Sequence, residues 1–343
     1  MQPIPFQPLQ SWQDELREAI TDPHALLTQL DLPMSLLPGA QAGDALFKLR
    51  VPYPYLSRIE KGNPNDPLLR QILPLQQETL TPPGYSQDPL EEQQANPLPG
   101  LIHKYTHRVL LILSGACAIN CRYCFRRHFD YQDNQLGRNE WQAILAYLAA
   151  HPEVEEVIFS GGDPLATPDS RLERLIKDLE QIPHLQRLRI HTRLPVVIPS
   201  RVTPALIQLL AETRLQSVMV LHINHANEID LSVTAAMQGL RQAQITLLNQ
   251  SVLLRGVNDN VTVQKTLSKT LFDAGILPYY LFLFDPVAGA SHFDLTEAEA
   301  RQLMADLQAQ LPGYLVPRLA VEIPGKPSKT LLAPMHYTRN HLE

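Results

Sequence analysis

From residue 109 onward, short apolar runs alternate with amphipathic stretches. The runs VLLILS (109–114), VEEVIFS (154–160), RLRIHT (187–192), SVMVLHI (217–223), ITLLNQS (245–251) and PYYLFLF (278–284) are rich in branched and aromatic residues. Their length and apolarity predict buried parallel strands. Between and after them, apolar positions recur at helical spacing near 138–150, 168–181, 203–213, 228–243, 261–274 and 296–311. Thr-Pro at 167–168 and 203–204, and Leu295-Thr296 before Glu297, read as helix starts. Repeated strand–helix units predict a parallel barrel or a doubly wound sheet. The polar residues favour the barrel. Ser114 to Cys124, Ser160 to Asp163, His191 to Arg193, His222 with His225, Asn249-Gln250 and Asp285 all fall just past a strand's C-terminal end. In a β/α barrel that is the catalytic rim.

Residues 1–100 read differently. Segments 11–21 and 66–78 predict helices, and a Pro/Gln/Glu-rich stretch follows at 82–98, read as part of a cover for the barrel or as a mobile loop. The expected organisation is a helical extension (1–100), a barrel (101–333) and a tail (334–343).

Composition narrows the function. The chain has 343 residues, 44% hydrophobic and 19% charged, so global disorder is excluded. Lys plus Arg total 29 against 35 for Asp plus Glu, with no basic block, which argues against a nucleic-acid partner. No apolar run reaches the ~18–20 residues of a membrane span, and the first twenty residues lack the basic and apolar regions of a signal peptide. The expectation is a soluble, cytoplasmic protein without a membrane partner.

All three cysteines, Cys117, Cys121 and Cys124, lie in the run CAINCRYC. An odd, crowded set makes a poor disulfide framework, and soft ligands at this spacing suit zinc or an iron–sulfur cluster. Zinc would need a fourth ligand such as His103, His107 or His128. A cluster held by three thiolates keeps one iron open for reaction. The spacing C-x3-C-x2-C, with Tyr123 before the last cysteine, resembles the radical S-adenosylmethionine (SAM) enzymes.

The resemblance extends well beyond the cysteines. HKYTHRVLLILSGACAINCRYCFRRHFD (103–130), FSGGDPL (159–165), LHINHANE (221–228), LLNQSVLLRGVND (247–259), LFDPVAGASHF (283–293) and EIPGKPSK (322–329) are together similar to the lysine 2,3-aminomutase family, over about residues 60–333. The short chain looks most like the bacterial branch that makes β-lysine for modifying elongation factor P. The resemblance implies a partial (β/α)6 TIM-like barrel of the radical SAM type, and three cofactors: a 4Fe–4S cluster, SAM and pyridoxal 5′-phosphate (PLP).

By that resemblance Cys117, Cys121 and Cys124 hold the cluster. Ser160, Gly161, Gly162 and Asp163 look like the loop that meets the SAM methionine, with His222 and Gln250 as further SAM-facing positions. Read alone, Gly-Gly-Asp is also a plain turn with a capping aspartate. PLP needs a lysine for its Schiff base. The family spacing selects Lys329, although Lys326 stands inside the same loop. Lys104, Tyr105 and Arg108 match positions near the cofactor phosphate, with Lys104 where Arg is common. Arg126 matches a clamp on the substrate carboxylate, a task a guanidinium suits. Asp285 and Glu322 match two acids that hold the ε-ammonium of lysine, Glu322 standing where Asp is usual.

The implied activity is an isomerase reaction, 2,3-amino migration converting L-lysine to β-lysine, fed by a reductase or a flavodoxin-type electron donor. The product would pass to a ligase acting on elongation factor P. Paired acids disfavour glutamate as substrate and leave ornithine or arginine open. The rival of another class is a non-enzymatic zinc or iron–sulfur module. Longer relatives carry extra zinc-binding cysteines, and no cysteine follows Cys124 here.

Overall fold

A computed structural model describes residues 11–335; the expected tail 334–343 lies, past Met335, outside the described residues. The chain opens with short helices α1 (Trp12–Arg17), α2 (Pro23–Gln29), α3 (Leu37–Leu46), α4 (Tyr53–Leu56) and α5 (Pro67–Arg70). Then follow β1 (Leu101–Tyr105), β2 (Arg108–Ser114), α6 (Arg138–Ala150), β3 (Glu156–Gly161), α7 (Asp169–Glu180), β4 (Arg187–Thr192), α8 (Leu194–Val197), α9 (Pro204–Glu212) and β5 (Gln216–Leu221). The remainder is α10 (Leu231–Gln242), β6 (Thr246–Val252), α11 (Val261–Asp273), β7 (Leu277–Phe282), α12 (Glu297–Gln308), β8 (Arg318–Val321) and β9 (Thr330–Leu331).

Among the described residues, nine strands form one sheet in sequence order. Strands β2 to β8 run parallel, and β1 and β9 pair antiparallel at its two edges. All six expected strands are present as β2 to β7, and their six helices are α6, α7, α9, α10, α11 and α12. The architecture is the expected partial barrel, with β8 as a further parallel strand.

The local reasons are ordinary ones. In α7 the buried residues Leu172, Leu175, Ile176 and Leu179 fall on one stripe. Thr203 caps α9 ahead of Pro204, and Thr296 with Glu299 forms a capping box on α12. Thr167 does not cap α7, which begins after Pro168. The expected helix at 66–78 stops at Arg70, because Pro74 cannot continue it. Along the strands alternate residues face inward: Arg108 and Leu110, Ile158 and Ser160, Arg189 and His191, Gln250 and Val252, Tyr280 and Phe282 all line one cavity.

The outer faces and their helices bury a hydrophobic core that also takes in Trp12, Leu26, Tyr55 and Leu69 from the N-terminal helices. Residues 11–73 therefore share the barrel's core. The stretch 82–98, read as cover or mobile loop, is a strap tied at both ends. Ser86 exchanges backbone hydrogen bonds with Pro286 and Ala288 beyond β7, and Ala95 accepts from the His103 N–H on β1.

Candidate active site

A cavity of about 400 Å³ occupies the barrel's mouth and interior, within the size range of small-molecule sites. Cys117, Cys121 and Cys124 line one part of it and Lys329 another. Of the other sequence-selected residues, Lys104, Tyr105, Arg108, Arg126, Ser160 to Asp163, His222, Gln250, Asp285 and Glu322 all line the same space. Lys326 is exposed outside it.

The cysteine loop is held from below by the N-terminal helices. Arg122, fully buried, donates to both oxygens of buried Glu78 at 2.9 and 2.5 Å and to the Phe47 carbonyl at 2.7 Å. Arg127 donates to the same Glu78 at 2.7 Å. The backbone N–H of Arg122 reaches the Gln71 carbonyl, and that of Asn120 reaches Arg50. Behind the loop, buried Arg193 donates to Cys121 Sγ while Glu228 and Gln71 hold its other end at 2.8 and 2.7 Å. Burial, then the neighbouring Cys124, pushes the Cys117 thiol up; burial, then Cys121, pushes Cys124 up to about 11.

The glycines at the end of β3, Gly161 and Gly162, serve chain packing. Gly161 has φ +128°, and a Cβ there would sit 2.4 Å from the Ser114 carbonyl; at Gly162 it would sit 2.6 Å from that of Ala116. Their absence lets the Gly162 and Asp163 N–H groups bond Ser114 and Ala116, just before Cys117. Both Asp163 oxygens are taken, one by Leu165 N–H and the Thr192 hydroxyl, the other by the N–H groups of Arg193 and Leu194. The capping reading of Asp163 thus describes its side chain, which also anchors the loop after β4. His222 packs on the Tyr123 ring, and burial, then Arg193, drops its pKa to about 4, so the ring is neutral.

At the lysine end, Glu322 joins the two edges of the sheet. Lys104 on β1 donates to one of its oxygens and Lys329 to the other, each at 2.9 Å. Burial would raise this carboxyl, but Lys329 and Lys104 outweigh it and hold the pKa at about 2. Lys329 Nζ also lies over the Tyr105 and Phe282 rings, at 5.5 and 5.4 Å. Asp285 faces the same space, where burial, then Glu322, raises its pKa to about 7. Arg189 pairs with Glu156 deeper in the barrel.

Sequence reasoning missed Glu92. Carried by the strap, it is buried and takes the Arg126 guanidinium side-on, Nε to Oε2 at 2.6 Å and Nη2 to Oε1 at 2.8 Å. Arg126 Nη1 donates to Ser160 Oγ at 3.0 Å. An acid within EEQQ reads as a solvated charge, and nothing local distinguishes it. Glu78 was equally invisible, whereas His191 and Arg193 were placed on the rim by their position at the end of β4 but given no role.

The residues fit the expected groups. Three thiols open on one cavity beside a buried guanidinium; burial favours the neutral form of Cys117 and Cys124, and a bound cation would deprotonate them as ligands. Tyr123 Oη and His191 Nε2 are buried without hydrogen-bond partners on the cavity wall. Among the described residues, no three His, Cys, Asp or Glu side chains are gathered as ligands of a single ion would be. His103, His107 and His128 bond instead to Tyr147, the Glu153 carbonyl and the Ala288 carbonyl.

Comparison with known proteins decides the family. The chain is 55% identical to the L-lysine 2,3-aminomutase of Haemophilus influenzae over 337 residues, which cover 97% of this chain and 100% of that one. It belongs to the L-lysine 2,3-aminomutase family. The Escherichia coli L-lysine 2,3-aminomutase is 54% identical over 94% of both chains, and that of Clostridium subterminale is 37% identical over 94% of this chain and 78% of its own. The Radical SAM superfamily model matches residues 111–262, from β2 into α11. The family is one of radical SAM isomerases, whose 4Fe–4S cluster and SAM suit the cysteine end of this cavity. Near-complete coverage of the Haemophilus relative fits the short bacterial branch. No helix among the described residues is long and apolar enough to cross a membrane.

Proposed function

We propose that this cavity moves the amino group of L-lysine from the α- to the β-carbon, giving β-lysine. The observation that carries the reading is that one cavity joins the three-cysteine loop to Lys329, with Arg126, Asp285 and Glu322 on its wall. Cys117, Cys121 and Cys124 would hold the 4Fe–4S cluster. The Ser160–Asp163 loop, His222 and Gln250 would face SAM. Lys329 would carry PLP, with Tyr105, Arg108 and Lys104 around it. Once bound, these groups supply a 5′-deoxyadenosyl radical and a conjugated system that spreads an unpaired electron.

The chain's own part is positioning. Arg126 would grip the α-carboxylate in a two-bond fork, while Asp285 and Glu322 take the ε-ammonium, whose burial needs opposite charge. A neutral His222 presents no proton-rich cation to the cysteine end. The aromatic walls Tyr123, Tyr280 and Phe282 keep water and oxygen from the reacting carbons. Free lysine is the substrate on this reading, because a residue within a chain has lost the carboxylate that Arg126 would hold. Within the 1–100 extension, residues 11–100 act as a brace on the cysteine loop and barrel mouth, with residues 101–333 as the unit that carries the chemistry.

The setting follows from the branch resembled: a cytoplasmic enzyme, fed by a reductase or flavodoxin-type donor, whose product goes to the ligase that modifies elongation factor P. Anaerobic incubation with SAM, PLP, a reductant and L-lysine should yield β-lysine. Recovery of α-lysine alone from protein fully loaded with cluster and PLP would overturn the proposal.

A further inference from the structure

We propose that Glu92 determines specificity at the carboxylate end of the cavity. Its side chain keeps the place of the substrate carboxylate on Arg126 and gives it up only to a ligand that brings a carboxylate of its own. The inference rests on the reading of Arg126 as the carboxylate clamp.

The geometry is that of a bound carboxylate. Two short, parallel N–H···O bonds join the Arg126 fork to Glu92, and both side chains are buried. Of the guanidinium's two carboxylate-binding edges, Glu92 fills the side-on one, and Nη1 of the other already donates to Ser160 Oγ. A second carboxylate brought to this fork would sit against that of Glu92. The nearest other cation, Lys104 Nζ, is 3.6 Å from Glu92 and already bonds Glu322. Exchange of Glu92 for a substrate carboxylate instead keeps the bond count and the charge on Arg126 unchanged. An amine without a carboxylate has nothing to trade, and the pair stays closed.

The strap allows the exchange. Its ends are tied beyond β7 and on β1, whereas Glu92 sits in the irregular middle, just after Glu91 at φ +49°. Beside the pair lies a second cavity of about 50 Å³, lined by Gln87, Asp88, Gln93, Phe125, His128 and Phe129. A rotation of the Glu92 side chain moves its carboxylate off Arg126 into that space, leaving the strap's anchors intact.

The test compares L-lysine with 1,5-diaminopentane, which lacks only the carboxylate. Binding to the anaerobic, cluster- and PLP-loaded protein is measured by calorimetry and by the cofactor's absorbance. Glu92→Gln keeps the shape and removes the charge. It should tighten L-lysine roughly tenfold or more, the scale of a charge-assisted hydrogen bond, and leave 1,5-diaminopentane within about twofold. Glu92→Asp keeps the charge on a shorter arm and should fall between, so the comparison survives if the glutamine variant fails to load. Weaker or unchanged L-lysine binding, or an equal effect on both ligands, would overturn the proposal. If Arg126→Lys binds L-lysine as the unaltered protein does, the clamp reading itself fails, whatever Glu92 does.

Discussion

Asp285 gives the cavity a pH dependence whose sign and size follow from its surroundings. Burial, then Glu322 and Glu92, raises its pKa from 3.8 to about 7 against the pull of Lys329 and Lys104. At about 1.4 kcal/mol per tenfold change in acidity, holding this carboxylate ionised in its buried setting costs on the order of 4 kcal/mol. A ligand ammonium beside it repays that cost, so binding should draw the proton off. Below pH 7 the affinity for such a ligand should therefore fall about tenfold per pH unit, and above pH 7 it should level off. L-norleucine isolates the effect, because it shares the α-end of L-lysine and lacks the ε-ammonium. The ratio of the two dissociation constants, measured by anaerobic titration from pH 5.5 to 8.5, cancels whatever pH does at the α-amine.

Stability runs the other way with pH. Between about pH 4 and 7 folded Asp285 holds a proton that the unfolded chain has released. The folded state thus binds more protons, and stability declines as pH rises through that window. Asp285→Asn should remove this decline and flatten the ligand ratio together. A ratio independent of pH in the unaltered protein, or one that still slopes after Asp285→Asn, would refute the assignment.

Three further outcomes follow from other parts of the site. Glu78→Gln leaves buried Arg122 and Arg127 without a carboxylate, so thermal unfolding should register a loss of about 3–5 kcal/mol and iron analysis a depleted cluster. Lys329→Ala should abolish the borohydride-reducible attachment of PLP, and Lys326→Ala should leave it intact. Gly161→Ala forces a side chain onto positive φ and against the Ser114 carbonyl, so its melting temperature and iron content should both drop.

Legibility in the sequence followed how local each signal was. Strands β2 to β7 are buried runs flanked by helices, and a parallel strand covered on both faces reads as apolar from end to end. The edges do not: LIHKY in β1 mixes polar residues, and β8 and β9 span only four and two residues. Helix α3, LPGAQAGDAL, carries a proline and two glycines, and it is fixed by packing: a Cβ on Gly43 would sit 2.7 Å from the Leu75 backbone. The cysteine triad was legible because its spacing is local. Glu92 was not, because it acquires its meaning only by meeting Arg126, 34 residues away. Arg193 was legible as a rim position but not in its contacts, because its partners come from Tyr55 and Gln71 on one side and Glu228 on the other.

Glu322 shows how a sequence-level role and an observed contact can describe two states of one residue. The resemblance assigns it to a substrate ammonium, whereas the structure gives each of its oxygens to a lysine of the chain. Those lysines come from opposite edges of the sheet, so the carboxylate does for the open side of the barrel what backbone pairing does elsewhere. On the proposed reading a ligand ammonium would take Oε2 by displacing Lys329 Nζ from it, one cation for another of similar size and charge. Lys104 keeps Oε1 throughout, so the gap between β1 and β8 stays bridged while the ligand changes. On this argument the extra methylene of glutamate matters: a longer arm can reach Lys104 on the far edge and still present its second oxygen to the cavity.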